Sequence, residues 1–165
     1  APESPSSIHQ MLMFRINRYF SVAGALATRL VETQFGLTRR EWGVMATIAD
    51  SEGLLSSELA DVAKLDRVRT SRTLGNLEAK GLVSRTPLAG DRRRIAVHLT
   101  GEGRRMYEKI LPAMARFNME LAAGLTPEEQ AQLDAILVKL REKALEMERQ
   151  GPYAALPRVD RGHKA

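Results

Sequence analysis

Arg69, Arg72 and the run Arg92, Arg93 and Arg94 are the residues of this chain with the plainest chemistry. Guanidinium groups are permanently charged and repel one another, so such a cluster asks for an anionic neighbour. Arg69, Arg72 and Asn76 recur at i, i+3 and i+7 and would share one face of a helix, while Thr70, Leu74 and Leu77 would share the opposite, inward face. In a DNA major groove, arginine pairs bidentately with guanine and asparagine with adenine. Between positions 64 and 94 nine basic residues stand against three acidic ones, a net of +6, although the whole chain carries only +5. The positive charge is therefore concentrated in one stretch. Lys64, Arg67 and Arg85 suit phosphate contacts, which set affinity rather than specificity. Val68 and Ser71 on the same helix, with Asp91 beside the arginine run, complete the candidate DNA-contacting set.

These residues need a helix and a hairpin to position them. Asp66 can cap a helix of residues 67 to 80, and Gly81 suits the left-handed residue that ends it. Leu82 to Arg85 and Arg94 to Leu99 then read as two short strands. Pro87, Ala89, Gly90 and Asp91 supply turn chemistry, and Arg92 to Arg94 lie in the connecting loop. Upstream, Thr38 and Glu41 form a T-x-x-E capping box that starts a helix ending before the turn at Ser51 to Gly53. Ser56 or Ser57 caps a short helix containing Leu59, Ala60, Val62 and Ala63. A bracing helix, a tight link, a reading helix and a basic hairpin make a winged helix-turn-helix.

The stretch resembles the winged helix-turn-helix of the MarR family of bacterial and archaeal transcription regulators. Asp91, Arg93, Leu99 and Thr100 match the family's wing pattern of Asp-x-Arg, five residues and Leu-Thr. Leu77, Glu78, Lys80, Gly81, Leu82 and Val83 match its helix-to-wing junction, and Leu37, Thr38 and Trp42 match the start of its second helix. Thr70 and Thr73 stand where the family is often apolar, and Gly75 lies inside the helix. The resemblance implies that Asp91 holds Arg93 at the wing tip, where Arg93 enters the minor groove, and that Arg69 and Arg72 sit over base edges. It also implies a symmetric dimer and a small aromatic or carboxylate effector bound between the dimer helices and the reading head. Candidate effector residues are Arg15 and Tyr19, one helical turn apart, with Arg40, Trp42 and Tyr107.

The remaining sequence supplies long helices. An apolar pattern of threes and fours runs from Ile8 to Gly36, about 40 Å as a helix and too long for one small protomer to cover. Thr100 caps a helix from Gly101 towards Gly124 with Pro112 inside it, and Thr126-Pro127-Glu128-Glu129 starts another that reaches Gly151. The expected fold is mainly α with a small β-wing. The expected organisation is one protomer over 1–165, with a DNA-binding region over 37–100 and a helical dimerisation region over 8–36 and 101–150. Residues 1–7 and 152–165 read as flexible tails, the latter basic.

A chain of 165 residues suits one domain. The absence of cysteine excludes disulfides and thiol-based redox sensing. His9, His98 and His163 are scattered, and neither an H-E-x-x-H nor a G-x-S-x-G pattern occurs, so no catalytic residues, metal site or cofactor are expected. No run approaches the roughly 20 apolar residues of a membrane span, and no secretory pattern opens the sequence. The expectation is a cytoplasmic homodimeric repressor that binds an imperfect palindrome in double-stranded DNA. A sequence-indifferent architectural DNA binder and a protein-interaction adaptor are the rival readings.

Overall fold

The structure, a computed structural model, describes residues 4–62 and 66–150. A 3-10 turn at Ile8–Gln10 precedes α1 (Leu12–Phe35), α2 (Arg39–Asp50), α3 (Ser56–Val62) and α4 (Arg67–Ala79). The strands β1 (Val83–Leu88) and β2 (Asp91–Leu99) follow, then α5 (Gly101–Ala122) and α6 (Pro127–Arg149). This is the mainly α architecture with a two-stranded wing that the sequence predicts.

The first helix is shorter than the periodicity suggests. Met11 takes an extended conformation (φ −69°, ψ 133°) and separates the 3-10 turn from α1. The helix ends at Gly36, whose φ of 65° is the left-handed cap. At the start of α2 the capping box is complete. The Thr38 hydroxyl accepts from the Glu41 amide at 3.2 Å, and a Glu41 carboxylate oxygen accepts from the Thr38 amide at 2.8 Å. The same box opens α6 through Thr126 and Glu129.

Neither serine caps α3. Ser56 is its first helical residue, and the Leu55 amide donates to the Glu58 carboxylate at 3.3 Å. Leu55 is held in place because it forms an isolated antiparallel bridge with Ala96 of β2, beside a bond from the Val97 amide to the Leu54 carbonyl. The wing is thereby pinned to the turn before α3.

Leu37, Val44, Met45, Ile48, Leu59, Leu74, Leu77, Val97 and Ile110 are essentially inaccessible and belong to one core cluster drawn from the link before α2 and from α2, α3, α4, β2 and α5. Close approach of α5 to this core depends on Gly103: a Cβ there would lie 1.9 Å from the Leu82 carbonyl oxygen. Thr100 fixes the same corner by donating its hydroxyl to the Gly81 carbonyl at 2.6 Å and accepting from the Gly103 amide at 3.0 Å.

The chain divides into two compact units, Ala1–Met119 and Glu120–Ala165. The core lies in the first. In the second, α6 buries none of its residues, and Leu133, Ile136, Leu137 and Val138 are all exposed. No helix of the described residues is long and apolar enough to cross a membrane.

Candidate nucleic-acid interface

The N-terminus of α4 is fixed by Asp66, whose carboxylate accepts from the Arg69 amide at 2.9 Å. Its C-terminus closes in a Schellman pattern, with the Gly81 amide bonded to the Glu78 carbonyl at 2.8 Å and the Leu82 amide to the Leu77 carbonyl at 2.9 Å. The two threonines in apolar positions are buried without loss. Thr70 donates to the Asp66 carbonyl at 2.7 Å and Thr73 to the Arg69 carbonyl at 2.8 Å, so each satisfies its hydroxyl within the helix. With Thr70, Thr73, Leu74 and Leu77 inward, Arg67, Val68, Arg69, Ser71, Arg72 and Asn76 are all exposed.

The basic residues fall into two classes. Arg69, Arg72, Arg92, Arg93 and Arg94 are exposed and have no ion-pair partner among the described residues. Arg85 and Lys80 are already neutralised. The Arg85 Nε and Nη2 atoms lie 2.8 and 2.6 Å from the Glu78 carboxylate, with both side chains about two-thirds covered. Arg85, expected as a phosphate contact, thus has its guanidinium paired with Glu78 within the head. Lys80 Nζ lies 2.8 Å from the buried Glu41 carboxylate and donates to the Gly36 carbonyl at 3.1 Å. Burial raises the Glu41 pKa, but the Lys80 ammonium and the Thr38 amide outweigh it and hold the carboxyl below its ordinary value. Arg67 lies 3.6 Å from Asp61, but both side chains are more than 70% exposed, so solvent screens the pair. Lys64 lies outside the described residues.

At the wing, the expected loop is shorter and the strands longer. Arg92, Arg93 and Arg94 belong to β2, and the turn is confined to Ala89 and Gly90, the latter with φ of 84°. Pro87 pairs with Ile95 and Leu88 with Asp91, so the ladder jumps past all three arginines and they form a bulge. Proline lacks the amide needed to continue the ladder and is tolerated at such a bulge. The Asp91 carboxylate accepts from the Arg93 amide at 3.0 Å and braces the bulged backbone.

Sequence reasoning missed Arg39. With Arg40, Arg69, Arg72 and Asn76 it lines an open groove of about 410 Å³ between the start of α2 and α4. Arg39 also lies over the Phe20 ring, 4.4 Å from its centroid. The capping box carries the signal for it, since Thr38 as cap makes Arg39 and Arg40 the first two helical residues. Cations at that end oppose the helix dipole and gain from an outside anion.

A MarR-family sequence profile matches residues 35–94. A Thauera aromatica protein, assigned to the hcr operon as a transcriptional regulatory protein, is 31% identical over 129 residues and 78% of both chains. The chain belongs to the MarR family. Among solved structures, a MarR/EmrR-family regulator from Acinetobacter sp. ADP1 matches with a TM-score of 0.78 at 24% identity, over 86% of this chain and 99% of that one. BpsR of Bordetella bronchiseptica, whose DNA binding is regulated by 6-hydroxynicotinic acid, matches with a TM-score of 0.75 at 20% identity, over 84% and 98%. This MarR-family chain is a DNA-binding transcription regulator, and the surface described above is its candidate DNA face.

The candidate effector residues of this MarR protein are only partly brought together. Trp42 and Tyr107 stack with centroids 5.6 Å apart and an interplanar angle of 24°, against the core. Arg40 is not with them. It stands two residues before Trp42, about 200° round the helix, and lines the groove with Arg69 and Arg72. Arg15 and Tyr19 are exposed on α1, Tyr19 at 61%.

Proposed function

We propose that this MarR-family regulator acts as a cytoplasmic homodimeric repressor, without catalytic activity, that reads an imperfect palindrome in double-stranded DNA. The observation that carries this reading is the division of the cations. Five exposed arginines of α4 and the wing have no ion-pair partner among the described residues, while Lys80 and Arg85 are paired with carboxylates of the head. Arg69, Arg72 and Asn76 read bases in the major groove, the Arg92–Arg94 bulge follows the minor groove, and Arg67 and Lys64 hold phosphates.

Uncovered apolar surface on the long helices supports the dimer. Among α1 residues, Tyr19, Phe20, Val22 and Leu26 are exposed, as are Leu133, Ile136, Leu137 and Val138 of α6. Isolated amphipathic helices gain little stability without a packed face, and a second copy supplies one. Residues 8–36 and 101–150 thus make the dimerisation region, and 37–100 the DNA-binding region. Two heads related by a two-fold axis meet successive major grooves, which is the basis for a palindromic site.

Release comes from a small aromatic acid that binds the non-DNA-competent dimer more tightly. Arg15 and Tyr19 with Trp42 and Tyr107 are the candidate binding residues, and the regulation of BpsR by an aromatic carboxylic acid supports that ligand class.

Selection of bound sequences from a random duplex pool at about 150 mM salt, where non-specific binding is weak, tests this function. A palindrome with half-sites about 10 base pairs apart is the expected product. Retention of duplexes without any preferred sequence would favour an architectural binder, and absence of binding an adaptor.

A further inference from the structure

The exposed arc of α4 has two unlike edges. At about 100° per residue, Arg72 lies near its centre, Arg69 and Asn76 fall within about 60° on one side, and Val68 and Gly75 within about 60° on the other. The first edge is polar and borders the groove shared with α2. The second is apolar, with Val68 exposed and Gly75 half-buried. Val68 is 69% exposed, whereas Leu74 and Leu77 on the opposite face are fully buried. A β-branched residue is a poorer helix former than alanine, and here no packing offsets it.

Gly75 is equally unexplained from within. Its φ does not lie in the left-handed region, and an added Cβ would meet only an Arg85 guanidinium nitrogen at 4.0 Å, an ordinary contact. Glycine inside a helix weakens it relative to alanine. Both residues therefore find their reason in what docks against the helix. The apolar feature that a major groove offers is the thymine C5-methyl group.

We propose that Val68 is a specificity-determining residue that packs on a thymine methyl beside the base pair read by Arg72, and that Gly75 leaves the backbone bare so that this edge can approach the groove floor. Val68 and Arg72 are one helical turn apart, about 5–6 Å between Cβ atoms. Against a rise of about 3.4 Å per base step, that places the thymine one or two base pairs from the Arg72 contact. The inference rests on the placement of α4 in the major groove.

The test replaces each thymine of the selected half-site, one at a time, by deoxyuridine, which keeps Watson–Crick pairing and lacks only the methyl. Affinities are read by fluorescence anisotropy for the wild-type protein and Val68→Ala. The expected result is one or two positions per half-site where uracil costs the wild type about 3- to 10-fold, with Val68→Ala equally weakened on thymine DNA and indifferent to uracil there. Alanine favours the helix, so unfolding would not imitate this pattern. Tolerance of uracil at every position, or a uracil penalty that persists in Val68→Ala, would overturn the assignment while leaving the DNA-reading function intact. A random pool that yields no preferred sequence would instead remove the major-groove reading, and this inference with it.

Discussion

The winged head and α6 are built from similar proportions of apolar residues and end very differently. In the head, Leu59, Leu74, Leu77 and Val97 are all fully buried by elements of the same chain. In α6, 23 residues long, nothing is fully buried, and Leu133, Ile136, Leu137, Val138 and Met147 stand in solvent. The head thus buries its apolar core within its own chain and presents mostly polar and charged side chains, Val62 and Val68 excepted, whereas α6 keeps a surface of exposed apolar residues. The first arrangement suits a rigid reader; under the proposed function, the second is the surface through which two copies associate and through which a ligand acts on DNA binding.

Substitutions can break that comparison on either side. The largest expected effect is Gly103→Ala, because the atoms a methyl would meet are Leu82 backbone. A loss of about 3 kcal/mol or more in unfolding free energy should appear in a denaturant titration, and a loss under 1 kcal/mol, roughly the scale of a surface change, would deny the tight α5–wing corner. Next comes Leu137→Glu on α6. It should leave the far-ultraviolet spectrum of the head unchanged and shift the oligomer towards monomer in light scattering, with DNA affinity lost in proportion. A variant that stays fully dimeric would remove α6 from the interface.

A smaller effect is expected inside the head from Glu41→Gln, about 1–2 kcal/mol, since Lys80 loses a charged partner while remaining partly exposed. The pH dependence has a definite sign. Because the folded Glu41 pKa lies below its ordinary value near 4.5, its stabilisation is complete above that value and is lost as pH falls through the folded pKa. Acid unfolding of Glu41→Gln should therefore be shallower than that of the wild type below about pH 5. The smallest effect is Gly75→Ala, which should raise stability by about 0.5–1 kcal/mol while weakening operator binding. A gain in both would separate Gly75 from the DNA face.

Much of the head is legible in the sequence because its signals are local. Asp66 with Arg69 and Thr38 with Glu41 are capping pairs three residues apart, as Thr126 with Glu129 is outside the head, and Gly36 and Gly81 mark helix ends by backbone conformation alone. The inward stripe of α4 follows from periodicity. What escapes notice couples distant residues. Lys80 and Glu41 are 39 positions apart, the bridge from Leu55 to Ala96 adds an edge to the wing, and Gly103 is needed for a neighbour 21 residues earlier in the chain. The arginine bulge depends on the ladder register opposite Pro87, which composition cannot reveal. For the same reason charge counting treats Arg85 and Arg72 alike, and only their partners tell them apart.

The central claim is that the exposed arginines without an ion-pair partner among the described residues divide into base readers on α4 and minor-groove followers on the wing. It is tested most directly by the ratio of operator to random-duplex affinity in Arg72→Ala and Arg92→Ala, measured across a salt series. Arg72→Ala should lose about 1–3 kcal/mol of operator preference. Arg92→Ala should weaken both duplexes alike and lower the salt slope by about 1. An Arg72→Ala protein that keeps the full wild-type preference would contradict the account.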